Sequence, residues 1–170
     1  MGAKATISVD EYLHTAFPDL DQEHFEGEIV ERALPDNFHS TTQELLISFF
    51  MALRKTHHLH PRPELRLRVR DRVFRIPDVS VFHPGAPLEA VPSIPPFIVV
   101  EILSSDDRMS TVRRKLEGYR AWGVPHVWLV DPYERRMYSC ADGLAEVAVL
   151  RATEAGVEVT PAGYFRVSRK

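Results

Sequence analysis

The stretch PPFIVVEILSSDD, Pro95 to Asp107, decides how this chain folds. Phe97, Ile98, Val99, Val100, Ile102 and Leu103 are aromatic, β-branched or long aliphatic, with two prolines before them and two serines and two aspartates after. A run too short for a helix and bounded by breakers predicts an inner strand of a sheet covered on both faces. Glu101 stands in the middle of it, and a carboxylate there is costly unless something compensates it.

Downstream, Asp106 or Asp107 is placed to cap a helix running to about Trp122, with Gly123 and Pro125 ending it. HVWLVDP then reads as a second buried strand, and RRMYSC, the Asp142-Gly143 turn and LAEVAVL as a hairpin. Upstream lie a proline-rich loop, Pro84 to Pro96, and the extended segment RVFRIPDVSVF, where Pro77 favours an edge or a bulge. ELRLRVR alternates Leu65, Leu67 and Val69 with Arg66, Arg68 and Arg70, giving one apolar and one basic face.

The first third predicts two helices around a hairpin. Ser8 and Glu11 have capping-box spacing before a short helix, and HFEGEIVERAL bends at Gly27. Thr41 to Glu44 gives a second start signal, for a long helix through ELLISFFMALRKTHHLH that ends near Pro61. A helix joining two apolar strands, with further strands on either side, implies an α/β or mixed α+β sandwich around one sheet.

At 170 residues, 44% hydrophobic and 26% charged, the chain has the composition of one ordinary globular domain. No apolar segment approaches the ~20 residues a membrane helix needs. MGAKATISVD lacks the apolar core of a secretory signal, and the single Cys140 has no internal disulfide partner, which points to the cytoplasm. Cys140 reads as a small buried hydrophobe. A net charge of −3 argues against a nucleic-acid-coating protein, yet of 21 basic residues only Lys4, Lys55, Lys115 and Lys170 are lysines. The rest are arginines, clustered in RPELRLRVRDRVFR and around RRKLEGYR, and arginine is favoured for multi-donor contacts to phosphate.

Two acids sit in apolar extended segments, Asp78 in RIPDVSVF and Glu101 in FIVVEILS. If those strands are neighbours, both carboxylates approach one point at the sheet edge, as a site for a hard cation such as magnesium requires. Otherwise Glu101 needs an arginine, for instance from the 66–75 ladder, or a proton. On the following helix Met109, Val112, Leu116 and Tyr119 form an inner stripe, and Lys115 falls beside it while Arg114 and Glu117 point elsewhere. Lys115 can reach back toward the sheet edge to position a water or neutralise a phosphate, or it can snorkel to solvent.

PDVSVF, PFIVVEILSSDDR and RRKLEGYRAWGVPHVWLVDP together resemble the Uma-two family of restriction endonucleases within the PD-(D/E)XK nuclease superfamily. TISVDEYLHTAF, FEGEIVERALPDNFHSTTQELL and DGLAEVAVL extend the likeness over most of the chain. The resemblance implies a restriction-endonuclease-like fold, a central mixed sheet flanked by helices, in one domain over residues 1–170. Its N-terminal helix and hairpin span 1–35, its catalytic core 36–135 and its C-terminal hairpin 136–170. The resemblance further implies that Asp78 and Glu101 bind the metal, Mg2+ or Mn2+, and that Lys115 is the catalytic lysine. Leu103 stands where the superfamily usually has that lysine, and the family supplies it from the next helix. Glu44 and Glu28 are then accessory ligand candidates, His39 a contact to phosphate or a metal-bound water, and Arg66, Arg68, Arg70 and Arg113 candidates for nucleic-acid binding.

Each residue also has a plainer reading. Asp78 after a proline suits a turn, Thr41 to Glu44 suits a capping box, and His57, His58 and His60 suit a solvated helix end. Three functions follow. The first is a metal-dependent endonuclease acting on DNA, expected as a homodimer. The second is a weakly active or inactive nuclease-fold module for nucleic-acid binding or assembly. The third is a metal-free glycosidase using Asp78 and Glu101 as its acid pair, for which the aromatic-rich cleft is missing.

Overall fold

The structure, a computed structural model, describes residues 6–17 and 22–161. Lys4 and Lys170 lie outside them. In chain order the elements are α1 (Val9–His14), β1 (Glu23–Phe25), β2 (Glu28–Val30), α2 (Asn37–His57), β3 (His60–Pro63), β4 (Leu67–Arg70), β5 (Val73–Arg75) and β6 (Val79–Phe82). They continue with β7 (Ile98–Ile102), α3 (Met109–Trp122), β8 (His126–Asp131), β9 (Arg136–Cys140), β10 (Leu144–Val147), β11 (Leu150–Ala152), a single 3-10 turn and β12 (Val157–Val159).

PPFIVVEILSSDD forms the inner strand its composition predicts. All five residues of β7 are buried, in a six-stranded sheet of order β10-β9-β8-β7-β6-β3. β7 runs parallel to β8 through the α3 crossover and antiparallel to β6, so the sheet is mixed. A smaller sheet, β2-β1-β5-β4, stands beside it, where a single sheet was expected.

Side-chain alternation divides the large sheet into two apolar layers. Ile98, Val100 and Ile102 of β7, Val79 and Val81 of β6, and Trp128 and Val130 of β8 join Leu46 and Phe50 of α2. Val99, Val127 and Leu129 join Val112, Leu116 and Tyr119 of α3. Each fully buried side chain of this kind contributes about 1.5–3 kcal/mol of transfer free energy. Glu101 has the parity of Val99, so it enters the α3 layer. The parity of Asp78 is opposite to that of Val79, and since Val79 pairs with Val100, the two acids stand side by side on that face.

Several boundaries differ from the sequence reading. Helix α2 begins at Asn37, because Asp36 accepts from His39 N at 3.0 Å; Thr41 and Glu44 therefore lie inside the helix and are no capping box. It ends at His57 with His58 left-handed at φ 53°, and Pro61 already belongs to β3. Asp107 caps no helix. Its carboxylate accepts from Ser104 N at 2.8 Å, and α3 starts behind Arg108 without a side-chain cap. Met109 is 38% exposed rather than part of the inner stripe. Pro77 marks neither an edge nor a bulge: having no N–H to give, it falls in the three-residue passage from β5 in one sheet to β6 in the other.

Other expectations hold. Ser8 caps α1, Glu26 and Gly27 turn the β1–β2 hairpin at positive φ, and Gly123 closes α3 at φ 104°. Leu67 and Val69 are buried while Arg68 and Arg70 are exposed. Cys140 is buried. Among the described residues no helix is long and apolar enough to cross a membrane.

Candidate active site

Asp78 sits where the ladder between β6 and β7 stops. Beyond the last pair, Val79 and Val100, its Oδ2 accepts from Ile102 N at 2.7 Å and takes the place of a main-chain acceptor. Its Oδ1 faces the Arg32 guanidinium, Nη2 at 3.1 Å, and the His39 imidazole, Nε2 at 3.3 Å. Glu101, on the next strand, meets Lys115 Nζ at 2.9 and 3.0 Å from its two oxygens and accepts from the Tyr119 hydroxyl at 2.8 Å. Lys115 and Tyr119 are four residues apart on α3, so one helical face supplies both donors.

A third carboxylate completes the cluster. Glu23, the first residue of β1, has Oε1 2.8 Å from Lys115 Nζ and 2.8 Å from Ile76 N, and Oε2 2.9 Å from Arg75 Nη1. It thus satisfies the backbone N–H exposed where β5 ends before Pro77. Lys115 lies between two sheets, its side chain only 16% exposed. A cavity of about 310 Å³ opens onto Glu23, Arg32, His39, Asp78, Glu101 and Lys115.

These charges set one another's protonation. Burial pushes the Glu101 carboxyl up, Lys115 draws it back, and the negative charges of Asp78 and Glu23 raise it again, leaving it at about 7. Burial also raises Asp78, but His39, Lys115 and the Ile102 amide outweigh it and hold that carboxyl below its usual value. Glu23 is likewise held low despite burial, by Lys115 and Arg75. Burial alone would lower Lys115, yet Glu101, Glu23 and Asp78 keep it above the ordinary lysine value and therefore charged. Tyr119 is pushed well above its usual value by burial and by Glu101, so it remains a donor. Burial opposes the charged form of His39, and the bond to Asp78 overrides it. His39 Nδ1 is buried with no hydrogen-bond partner.

Among the described residues no group of three or more His, Cys, Asp or Glu side chains is arranged to hold a metal ion. Two adjacent carboxylates suit magnesium or manganese, since magnesium keeps several waters and takes one or two protein carboxylates with substrate phosphate. The donor chemistry fits: two buried carboxylates stand side by side at the end of adjacent strands and open onto one cavity. Asp78 and Glu101 are the residues that would hold the ion, with Arg32 already covering Asp78 Oδ1.

The remaining candidates are placed as follows. Glu28 and His39 line the cavity. Glu44 is exposed on α2 and does not. Arg68 pairs with Asp71, Arg70 with Glu26, and Arg66 lies over the Tyr12 ring at 4.9 Å, and none of these three lines the acid cavity. Arg75 pairs with Glu23, and the cation on Glu101 is a lysine. Arg114 reaches the cavity after all, whereas Arg113 lines a neighbouring recess. Lys115 does not snorkel to solvent, and Asp131 is structural, accepting from Tyr133 N and Glu134 N. Glu23, Arg32 and Tyr119 are the participants that sequence reasoning did not single out as site residues.

Residues 9–164 match the model of the Uma2 family, described as "Putative restriction endonuclease". The crystal structure of a "putative nuclease" from Anabaena variabilis superposes with a TM-score of 0.83 at 22% identity, covering 94% of this chain and 97% of that one. At that identity the likeness speaks for the fold. No curated protein matches the sequence.

Proposed function

The chain belongs to the Uma2 family, and on that premise we propose that it is a divalent-metal-dependent endonuclease that hydrolyses phosphodiester bonds of DNA. The observation that carries this reading is the meeting of Asp78, Glu101 and Lys115 at one cavity, from two adjacent strands and the helix that follows them. A magnesium or manganese ion held by Asp78 and Glu101 would supply Lewis-acid polarisation of a phosphoryl oxygen.

The chain's own residues do the rest. Lys115, charged and held at 2.9 Å from Glu101, presents N–H donors that orient an attacking water and offset the charge growing on the phosphate. Tyr119 fixes one Glu101 oxygen, and the Ile102 amide fixes one Asp78 oxygen. Arg32 and Arg114 line the cavity and draw in the polyanion.

The test is nicking of supercoiled plasmid in Mg2+ or Mn2+, abolished by chelator. Asp78→Asn and Glu101→Gln should each slow it by about 100-fold or more with an unchanged far-UV circular dichroism spectrum. Full cutting by both variants would overturn the assignment. One observation favours a second reading, a nuclease-fold module with little activity: Asp78 and Glu101 already have Arg32 and Lys115 as internal counter-ions. Folded protein that binds DNA without cutting it in any metal would select that reading.

A further inference from the structure

Next to the acid cavity lies a recess of about 540 Å³ lined in part by Arg113, Tyr133 and Tyr138, and the two share Leu103, Ser104 and Asp107 as a common wall. Tyr133, which lines this recess, is 37% exposed, and the ring of Phe38 beside it is 60% exposed. Their centroids are 5.7 Å apart and their planes inclined by 57°.

The Tyr133 ring is held in place, and Phe38 packs against it. The Tyr133 hydroxyl donates to Asp36 Oδ2 at 2.8 Å and its main-chain N–H to Asp131 Oδ1 at 2.9 Å. Asp36 also caps α2 through His39 N at 3.0 Å, and His39 Nε2 lies 3.3 Å from Asp78 Oδ1. A continuous chain of contacts therefore ties the Tyr133 ring to the acid cluster, with Phe38 immediately before His39. A fixed, solvent-facing aromatic costs little entropy when something stacks on it. The carboxylates of the recess, Asp107 and Asp131, are engaged by main-chain donors, and Arg113 supplies its cation.

We propose that Phe38 and Tyr133 form a stacking site for an unpaired nucleobase adjoining the phosphate that Lys115 faces in the acid cavity, so that the preferred substrate is DNA that is single-stranded or frayed at the cut. Stacking serves any base sequence and fails for a base still paired in a duplex, whose faces are covered. This inference rests on the nuclease reading and narrows its substrate.

The experiment measures binding in chelator, by fluorescence anisotropy, of a labelled single strand and of its matched duplex, with plasmid nicking in magnesium measured alongside. Wild-type protein should prefer the single strand. Phe38→Ala should weaken single-strand binding by about tenfold while duplex binding changes by less than about twofold. Phe38→Leu, which keeps apolar bulk without the ring, should behave like Phe38→Ala. Equal losses on both DNAs, or none, in a protein that still nicks plasmid would overturn the stacking site and leave the nuclease reading standing. A wild type that neither binds nor cuts any DNA would overturn both. Unchanged DNA binding with loss of self-association in sedimentation would give this face to a second copy of the chain and overturn the proposal.

Discussion

Lys115 Nζ lies 2.8 Å from Glu23 Oε1, marginally closer than it lies to either oxygen of Glu101. The lysine of α3 is therefore shared between β7 of the large sheet and β1 of the small one. An ammonium so held has little freedom to leave for solvent, which is what a positioning or charge-balancing role at a phosphate requires. Glu23, unremarkable in sequence, is the residue that makes the displaced lysine rigid.

Removing Glu23 should accordingly be costly. Glu23→Ala leaves Arg75 and Ile76 N without their acceptor and weakens the hold on Lys115. Breaking a buried pair in this way costs about 3–5 kcal/mol. Glu23→Gln, which keeps one acceptor oxygen, should cost less. Urea unfolding of the three proteins checks this; a loss below about 1 kcal/mol in the alanine variant would show the clamp to be ornamental.

Stability without metal should fall as pH rises. The folded Glu101 carboxyl is raised from 4.5 to about 7, so the native state binds more protons than the unfolded one in that window. Its favourable contribution is complete below 4.5 and is lost as pH passes through about 7. His39, also raised, adds loss of the same sign above its ordinary 6.5, whereas Asp78 and Glu23, held low, are already ionised there. Glu101→Gln should flatten unfolding free energy between pH 5 and 6.5, by an amount on the order of a few kcal/mol. A wild-type profile as flat as that of the variant would contradict the placement of Glu101.

Arg32 and a divalent cation are rivals for Asp78 Oδ1. Arg32→Ala should lower metal-free stability, since Asp78 keeps His39, the Ile102 amide and the field of Lys115 but loses its guanidinium partner, and should tighten Mn2+ binding by about tenfold. Calorimetric titration with manganese decides it. Weaker binding in the variant would mean that the guanidinium does not compete with the ion.

Tyr119→Phe isolates one hydrogen bond. Losing the donor at 2.8 Å from Glu101 Oε1 should cost about 1–3 kcal/mol, because the partner is a buried carboxyl group. It should also raise the Glu101 carboxyl further, moving the acidic limb of a nicking profile to higher pH. An unmoved limb would detach that limb from Glu101.

Much of this was legible in the chain because it is local. The breakers around β7 and its apolar run give an inner strand, helical spacing puts Lys115 beside the buried stripe, and Gly123 ends α3. What escaped depends on partners far away in sequence. Nothing near Glu23 or Arg32 announces that one will receive Ile76 N and the other will cover Asp78. The start of α2 was misplaced because two capping signals compete, and Asp36, which also receives the Tyr133 hydroxyl, prevails over Thr41. The second sheet was missed because Pro77 looks the same at a bulge as at a passage between sheets.

The alternation along β7 has a consequence for how the molecule tolerates error. Because odd and even positions serve opposite layers, sliding this strand by one residue against β6 would drive Glu101 among Phe50 and Trp128 and strand Val100 opposite Lys115. A single slip of register would therefore damage the core and the acid cluster at once, burying a carboxylate among apolar rings and breaking its contact with Lys115.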